Sequence, residues 1–516
     1  MKIKQPLFQP DSKIKFGITA VLVVLITVIT FYNRIYRYPI KFDDAFISYR
    51  IAKNIANGNG AQFNIGERVR ANTSLIYPVL SSPAFLLEDK TAILLIDIFD
   101  LLCFTIANLL FAALTKKLIE KYTGLSHWSL FPLLFLINSS YASIVTGMET
   151  QLLLICIAAS ALYLNRKQYN TAFLISCAGI FIRPDGVLIT FITFIYCLYS
   201  DRKRWHWYII YSASSAAVYF LITFFYYNEI LPHTAEVKKV LFPNQFEHLE
   251  VFLYCNFNPY DFRNYFGIAY FIGLMVMIRK ADSFLVSGIL YFCFFTFVGT
   301  WFPGFGWYWV PAHYYFVGVE AVGTAWIISV ISRFVIKDRL QPISKYYYPA
   351  VFILMSVYGF SVLKFNTLLN RNYSAEYIEL TDMCRRVGQK LVELKPTKYT
   401  IIEPLGRVGF FSYPTKFKDY PGLCSKEVFE VVKRHKTHSL AYAGANNYGE
   451  FKDILDHVPD LQFAVLRRVE VSLLEKNNVI DSSQVVFDSY LNHEQHKDGQ
   501  LLIVKLKPAK QIETGY

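Results

Sequence analysis

Over roughly the first seventy per cent of the chain, apolar runs of bilayer-spanning length alternate with short polar connections. Runs at about 17-36, 92-114, 127-145, 149-165, 169-183, 186-200, 207-227, 264-279, 283-301, 309-332 and 347-365 predict eleven transmembrane helices, since about 20 apolar residues cross some 30 Å of hydrocarbon. A further run, Ser74 to Leu87, has only about 14 residues and is read as an interfacial or re-entrant helix. Beyond residue 370 the pattern changes. Charges alternate in sign, and short runs such as Tyr399-Ile402, Gln462-Leu466, Gln484-Phe487 and Leu501-Leu506 read as buried strands, while Ala375-Glu393 and Lys426-Lys436 have helical spacing. The expected fold is an α-helical polytopic membrane domain, residues 1-368, followed by a soluble mixed α/β domain, residues 369-516. No repeat period or low-complexity run interrupts it.

Charge placement orients this scheme. Lysines and arginines gather in short connections: Lys116, Lys117 and Lys121; Arg166 and Lys167; Arg202 to Arg204; Arg279 and Lys280; Arg333 to Lys345. Short basic loops face the cytoplasm, so the N-terminus is expected inside, with the first outer loop, 37-91, and the whole tail outside the cytoplasmic membrane. Counting Ser74-Leu87 as a crossing would put the Lys116-Lys121 loop on the wrong side. The first run follows a basic leader and lacks a small-x-small cleavage site, which reads as a retained helix.

Composition agrees. With 54% hydrophobic and 17% aromatic residues, only 18% charged, and a mean hydropathy of +0.30, the 516-residue chain is too apolar for a soluble protein. The net charge of +13 sits in the loops, which argues against a nucleic-acid partner. The eight cysteines have no metal-ligand spacing. Most fall in apolar runs, whereas Cys384 and Cys424 lie in the tail and could pair in an oxidising compartment.

Candidate chemistry starts in the first outer loop. Asp43 and Asp44 open a short helix with Ile47, Ile51 and Ile55 on one face and glycines at 58 and 60 to end it. An aspartate there can cap its own helix and complement the dipole. Two adjacent carboxylates point about 100° apart and raise one another's pKa, so the second is free to act as a general base. The topology also brings Glu149, Arg183, Asp185, His233 and Lys238 to the same outer face. Each has an ordinary structural reading as a helix-end or loop residue, and the joint placement is what singles them out. The aromatic cluster Trp301 to Tyr315 reads as an interfacial belt or as a platform for a sugar or prenyl chain, with His313 left outside the catalytic set.

The loop also resembles a known family. Asp43-Asp44-Ala45-Phe46-Ile47-Ser48-Tyr49-Arg50, then Asn57-Gly58-Asn59-Gly60, Phe63-Asn64-Ile65-Gly66-Glu67-Arg68-Val69 and Thr73-Ser74 look like the first outer loop of GT-C type membrane glycosyltransferases. The nearest group is that of the mycobacterial terminal β-(1→2)-arabinofuranosyltransferase and its bacterial relatives. Gly147-Met148-Glu149-Thr150, Arg183-Pro184-Asp185-Gly186 and Leu231-Pro232-His233-Thr234 with Lys238 continue the resemblance, with His233 where the family has asparagine. Gly406-Arg407-Val408-Gly409-Phe410-Phe411 and Asp419-Tyr420-Pro421-Gly422-Leu423 extend it into the tail.

The resemblance implies transfer of a sugar, a pentofuranose among the options, from a polyprenyl-phosphate donor to a glycan or glycolipid acceptor at the outer face of the membrane. Asp44 or Asp43 would be the base. Arg183, Lys238 and His233 would hold the donor phosphate, and Glu149, Asp185, Tyr49 and Arg50 would orient the sugar or those cations. A divalent cation at the acidic residues is left open. The rival readings are a transporter of lipid-linked sugars, which would place broken helices near the bilayer midplane, and a noncatalytic envelope-assembly protein.

Overall fold

The computed structural model describes residues 41-123, 146-229, 232-241, 267-279, 282-297, 306-337, 378-402, 405-435, 448-490 and 499-507. The expected spans at 17-36, 127-145 and 347-365 lie outside the described residues, as do 301-305 of the aromatic cluster. In chain order the helices ahead of the tail are α1 Asp43–Ala56, α2 Tyr77–Ser81, α3 Asp89–Thr123, α4 Thr150–Asn165, α5 Tyr169–Ile182, α6 Gly186–Ser200, α7 Trp205–Leu221, α8 His233–Leu241, α9 Gly267–Ile278, α10 Ser283–Phe297 and α11 Gly306–Lys337. The tail contains α12 (378-394), β1 Tyr399–Ile402, α13 Leu405–Phe411, β2 Phe417–Asp419, α14 Lys426–His435, α15 Tyr448–His457, β3 Leu461–Arg467, α16 Arg468–Lys476, β4 Val485–Tyr490 and β5 Gln500–Lys505.

Two described helices are long and apolar enough to cross a membrane: α3, and the helix Arg202–Tyr226 that contains α7. The others in the apolar region include shorter segments such as α4, α5 and α6. Eleven crossings therefore remain an expectation.

The chain forms two compact units. The first comprises residues 1-39, 97-217 and 245-372. Its helices pack by close backbone approach, the device that serves where lipid offers no hydrophobic drive between helices. A Cβ on Gly186 would stand 2.2 Å from the Gly179 carbonyl oxygen, which joins α5 to α6. One on Gly323 would stand 1.7 Å from the Ala269 carbonyl oxygen, which joins α11 to α9. Lys121 ties the end of α3 to the buried Asp282, and the Tyr122 hydroxyl donates to the same carboxylate at 2.9 Å.

The second unit comprises residues 40-96, 218-244 and 373-516. Its sheet has the order β2-β1-β3-β5-β4, with β1 parallel to β2 and β3, and β5 antiparallel to β3 and β4. Leu501 to Val504 of β5 are all buried, as expected of an inner strand covered on both faces, while the edge strand β4 alternates. First-loop residues share this core. Ile47, Ile51 and Phe63 pack with Val387, Val408, Phe417, Val465 and Ile503. Cys384 and Cys424 belong to the same cluster as free thiols.

Candidate active site

Asp43 and Asp44 occupy the first turn of α1, where the dipole favours carboxylates, and Lys53 occupies its last turn. Neither aspartate caps its own helix. The N-cap residue is Phe42, with no side-chain cap. Asp43 instead caps a helix 363 residues away: its two oxygens accept from Gly406 N at 2.8 Å and Arg407 N at 2.9 Å at the start of α13. The Arg407 guanidinium adds an ion pair at 3.3 Å, and donates through Nη2 to the Lys41 carbonyl at 2.6 Å and through Nε to Thr381. A Cβ on Gly406 would lie 1.9 Å from the Asp43 carbonyl oxygen, so only glycine permits this contact.

Asp44 has a different environment. Its side chain is 28% exposed, and its partner is Lys238 of α8, with Nζ 3.8 Å from Oδ2. Burial lifts its carboxyl above the usual aspartate range, Lys238 works against that lift, and the neighbouring Asp43 adds to it. Lys238 itself is 7% exposed. The adjacent carboxylates are therefore unequal: Asp43 is held by main-chain N–H groups, and Asp44 faces a lysine.

His233, at the start of α8, donates through Nε2 to the Gly422 carbonyl at 2.9 Å and stands edge-on to Phe429. Gly422 has φ +98°, and a Cβ there would meet Phe429 N at 2.6 Å. Asp419 fixes the same turn by accepting from Leu423 N and Cys424 N, at 2.6 and 2.7 Å. The Asp419-to-Leu423 motif thus anchors α8, which carries Lys238.

Tyr49 and Arg50 are fully buried. Tyr49 packs on Phe46, Phe85 and Phe410. Arg50 donates to three main-chain carbonyls, Phe63 at 2.9 Å, Gly409 and Thr415, with its guanidinium 4.5 Å from the centre of the Phe63 ring. Burial lowers its pKa to about 10. Removing the fork would strand buried acceptors, so Arg50→Met is expected to cost on the order of 3 kcal/mol. A fall of several degrees in the thermal midpoint of the purified protein would register it.

Arg183, Asp185 and Glu149 belong to the other unit. Arg183 forms a bidentate pair with Asp185, at 2.7 and 2.6 Å, and Tyr291 donates to the same carboxylate. Its Nη1 is buried with no hydrogen-bond partner among the described residues. Glu149, 2% exposed, stands at the N-cap of α4. Among the described residues no group of three His, Cys, Asp or Glu side chains is placed to hold a metal ion.

No protein-family model matches the sequence, and no curated protein matches it either. Among solved structures, it superposes on the crystal structure of ArnT from Cupriavidus metallidurans bound to undecaprenyl phosphate. The TM-score is 0.54 at 11% identity, over 94% of this chain and 98% of that one. The chain has the ArnT fold. Two crystal structures of the Archaeoglobus fulgidus oligosaccharyltransferase score 0.48 each, at 14% and 13% identity over 86% and 89% of this chain and 68% and 70% of theirs, and carry no weight in the assignment.

Proposed function

We propose that this ArnT-fold chain is a glycosyltransferase of the cytoplasmic membrane that moves a sugar from a polyprenyl-phosphate donor to a cell-envelope glycan or glycolipid on the outer face. The observation that carries the proposal is the Asp44–Lys238 pair, a partly exposed carboxylate 3.8 Å from a nearly buried lysine. Transfer needs both groups. A base removes the acceptor hydroxyl proton as the acceptor oxygen bonds to the anomeric carbon, and a cation takes up charge as the bond from that carbon to the phosphate oxygen breaks. Asp44 is the base and Lys238 the phosphate partner. Prenyl phosphate leaves, and the proton stays on Asp44 until solvent removes it.

The remaining residues take supporting roles in this reading. Asp43 and Arg407 fix the start of α1, and His233 fixes α8. Tyr49 and Arg50 hold the first loop. In the other unit, Asp185 holds Arg183 in a bidentate pair, and Glu149 stands at the N-cap of α4. The undecaprenyl phosphate bound by ArnT supports the donor class. The arabinofuranosyltransferase-like first loop favours a pentofuranose as the sugar. The N-terminus lies in the cytoplasm and the tail outside it, over the acceptor.

Incubating the purified protein with prenyl-phosphate-linked sugars and an envelope lipid fraction tests the proposal. Released prenyl phosphate is expected. Translocation of intact lipid-linked sugar without release would make the chain a transporter, and neither activity would make it a scaffold.

A further inference from the structure

Two lysines of α14 stand seven residues apart, and so do the two acids they meet. Lys426 Nζ lies 2.7 Å from Glu229, just ahead of α8, and Lys433 Nζ lies 3.4 Å from Glu236 on α8. Between these pairs Phe429 packs edge-on against His233, with ring centres 5.2 Å apart. Lys426, Phe429 and Lys433 fall at i, i+3 and i+7, which is one face of a helix. Glu229, His233 and Glu236 meet them in the same order, so the two segments run side by side in the same direction.

The three contacts differ in weight. Glu236 and Lys433 are both half-exposed, and such a pair contributes little. The Glu229 side chain is nearly buried, its carboxylate accepts no hydrogen bond among the described residues, and Lys426 is its one ion-pair partner there. A carboxylate in that position is costly to unpair. Phe429 is buried, so the His233 contact is packed by a ring as well as bonded to Gly422. Lys238 follows His233 by five residues, about 140° round the helix. α8 therefore turns the flank of His233 to α14 and the flank of Lys238 to Asp44 of α1. A misplacement of about 1 Å at a reacting centre costs about 10²-fold in rate, so the depth at which α14 seats α8 bears directly on the 3.8 Å spacing of Asp44 and Lys238.

We propose that α14 is the positioning element for Lys238, with Lys426 and Phe429 as its main positioning residues. Neither touches the reacting atoms; both act through α8. The part this plays in transfer rests on the Asp44–Lys238 reading, whereas the seating of Lys238 does not, and the two are measured separately.

The full-length protein in detergent is compared with Lys426→Glu/Lys433→Glu, which sets like charges against Glu229 and Glu236, and with Lys426→Arg/Lys433→Arg, which keeps the charges. One readout is the rate at which acetic anhydride acetylates Lys238, followed by mass spectrometry, with Lys53, paired to Asp89 at 2.8 Å, as the internal control. The other is the donor KM and kcat for transfer from a prenyl-phosphate-linked sugar. The glutamate pair is expected to label Lys238 at least threefold faster with Lys53 unchanged, and to raise the donor KM about tenfold, while the arginine pair stays within about twofold of wild type in both. Phe429→Leu, which shortens the buried contact without a charge, should move both readouts in the same direction and decides the matter if the glutamate pair does not fold. Unchanged labelling of Lys238, or equal acceleration at Lys238 and Lys53, overturns the positioning element. Faster labelling with unchanged KM and kcat overturns its part in transfer. No transfer by wild type overturns the transferase reading, and the labelling still decides the seating of Lys238.

Discussion

Asp44→Asn is expected to lower sugar transfer by about 10²- to 10⁴-fold, the usual contribution of a positioned general base, while the protein stays folded. The sign of the stability effect separates a catalytic from a structural carboxylate. The folded protein raises the Asp44 pKa, so it binds that proton more tightly than the unfolded chain does. This contributes stability below the ordinary aspartate value, and the contribution is lost as pH rises through the folded value. At neutral pH the ionised group is a burden that asparagine lacks, so the variant should melt no lower than wild type. Activity runs the other way: it is present above the raised pKa and lost as pH falls through it, with the acid limb above the ordinary carboxylate range. An Asp44→Asn variant that transfers at the wild-type rate, or that melts far below it, would refute the assignment.

Gly406→Ala is expected to do the reverse, with a large loss of stability that removes activity only as a consequence. The new methyl group would meet the Asp43 carbonyl oxygen at 1.9 Å and its carboxylate at 2.7 Å. The start of α13 must then move away from α1, which breaks both N–H bonds to Asp43 and the Arg407 pair. Overpacking together with a broken charged network amounts to about 3 kcal/mol or more. Asp43→Ala, which loses the cap without a clash, should cost about 2 kcal/mol. Thermal unfolding of the two variants beside Asp44→Asn gives the comparison, and an Asp43→Ala as stable as Asp44→Asn would count against the division of roles.

The strands of the tail were legible because each is a short apolar run bounded by polar residues: β1 matches Tyr399-Ile402, and β3, β4 and β5 lie within two or three residues of their expected bounds. Strand β2 was not, since three residues carry no period and Lys418 lies in the middle of it. The acidic pair could be found from its place before an amphipathic helix, but the different environments of Asp43 and Asp44 could not. They depend on Gly406 and Arg407, more than 360 residues away, and on Lys238, and local pattern does not encode such pairings. The Gly406-to-Phe411 motif was visible, and its glycine now has a reason, yet nothing local pointed to Arg407 as the partner of Asp43. Tyr49 and Arg50 lie in the same motif as the aspartates, but adjacent helical positions point different ways, and these two point into the core. The question raised by Cys384 and Cys424 ends in two free thiols within one apolar cluster.

The most direct measurement is a cryo-EM map of the full-length protein with a prenyl phosphate bound. The account predicts phosphate density against Lys238 Nζ on the side facing Asp44, with the ion pair between them opened or shared. A bound prenyl phosphate with the Asp44–Lys238 pair closed and no density beside it would contradict the account.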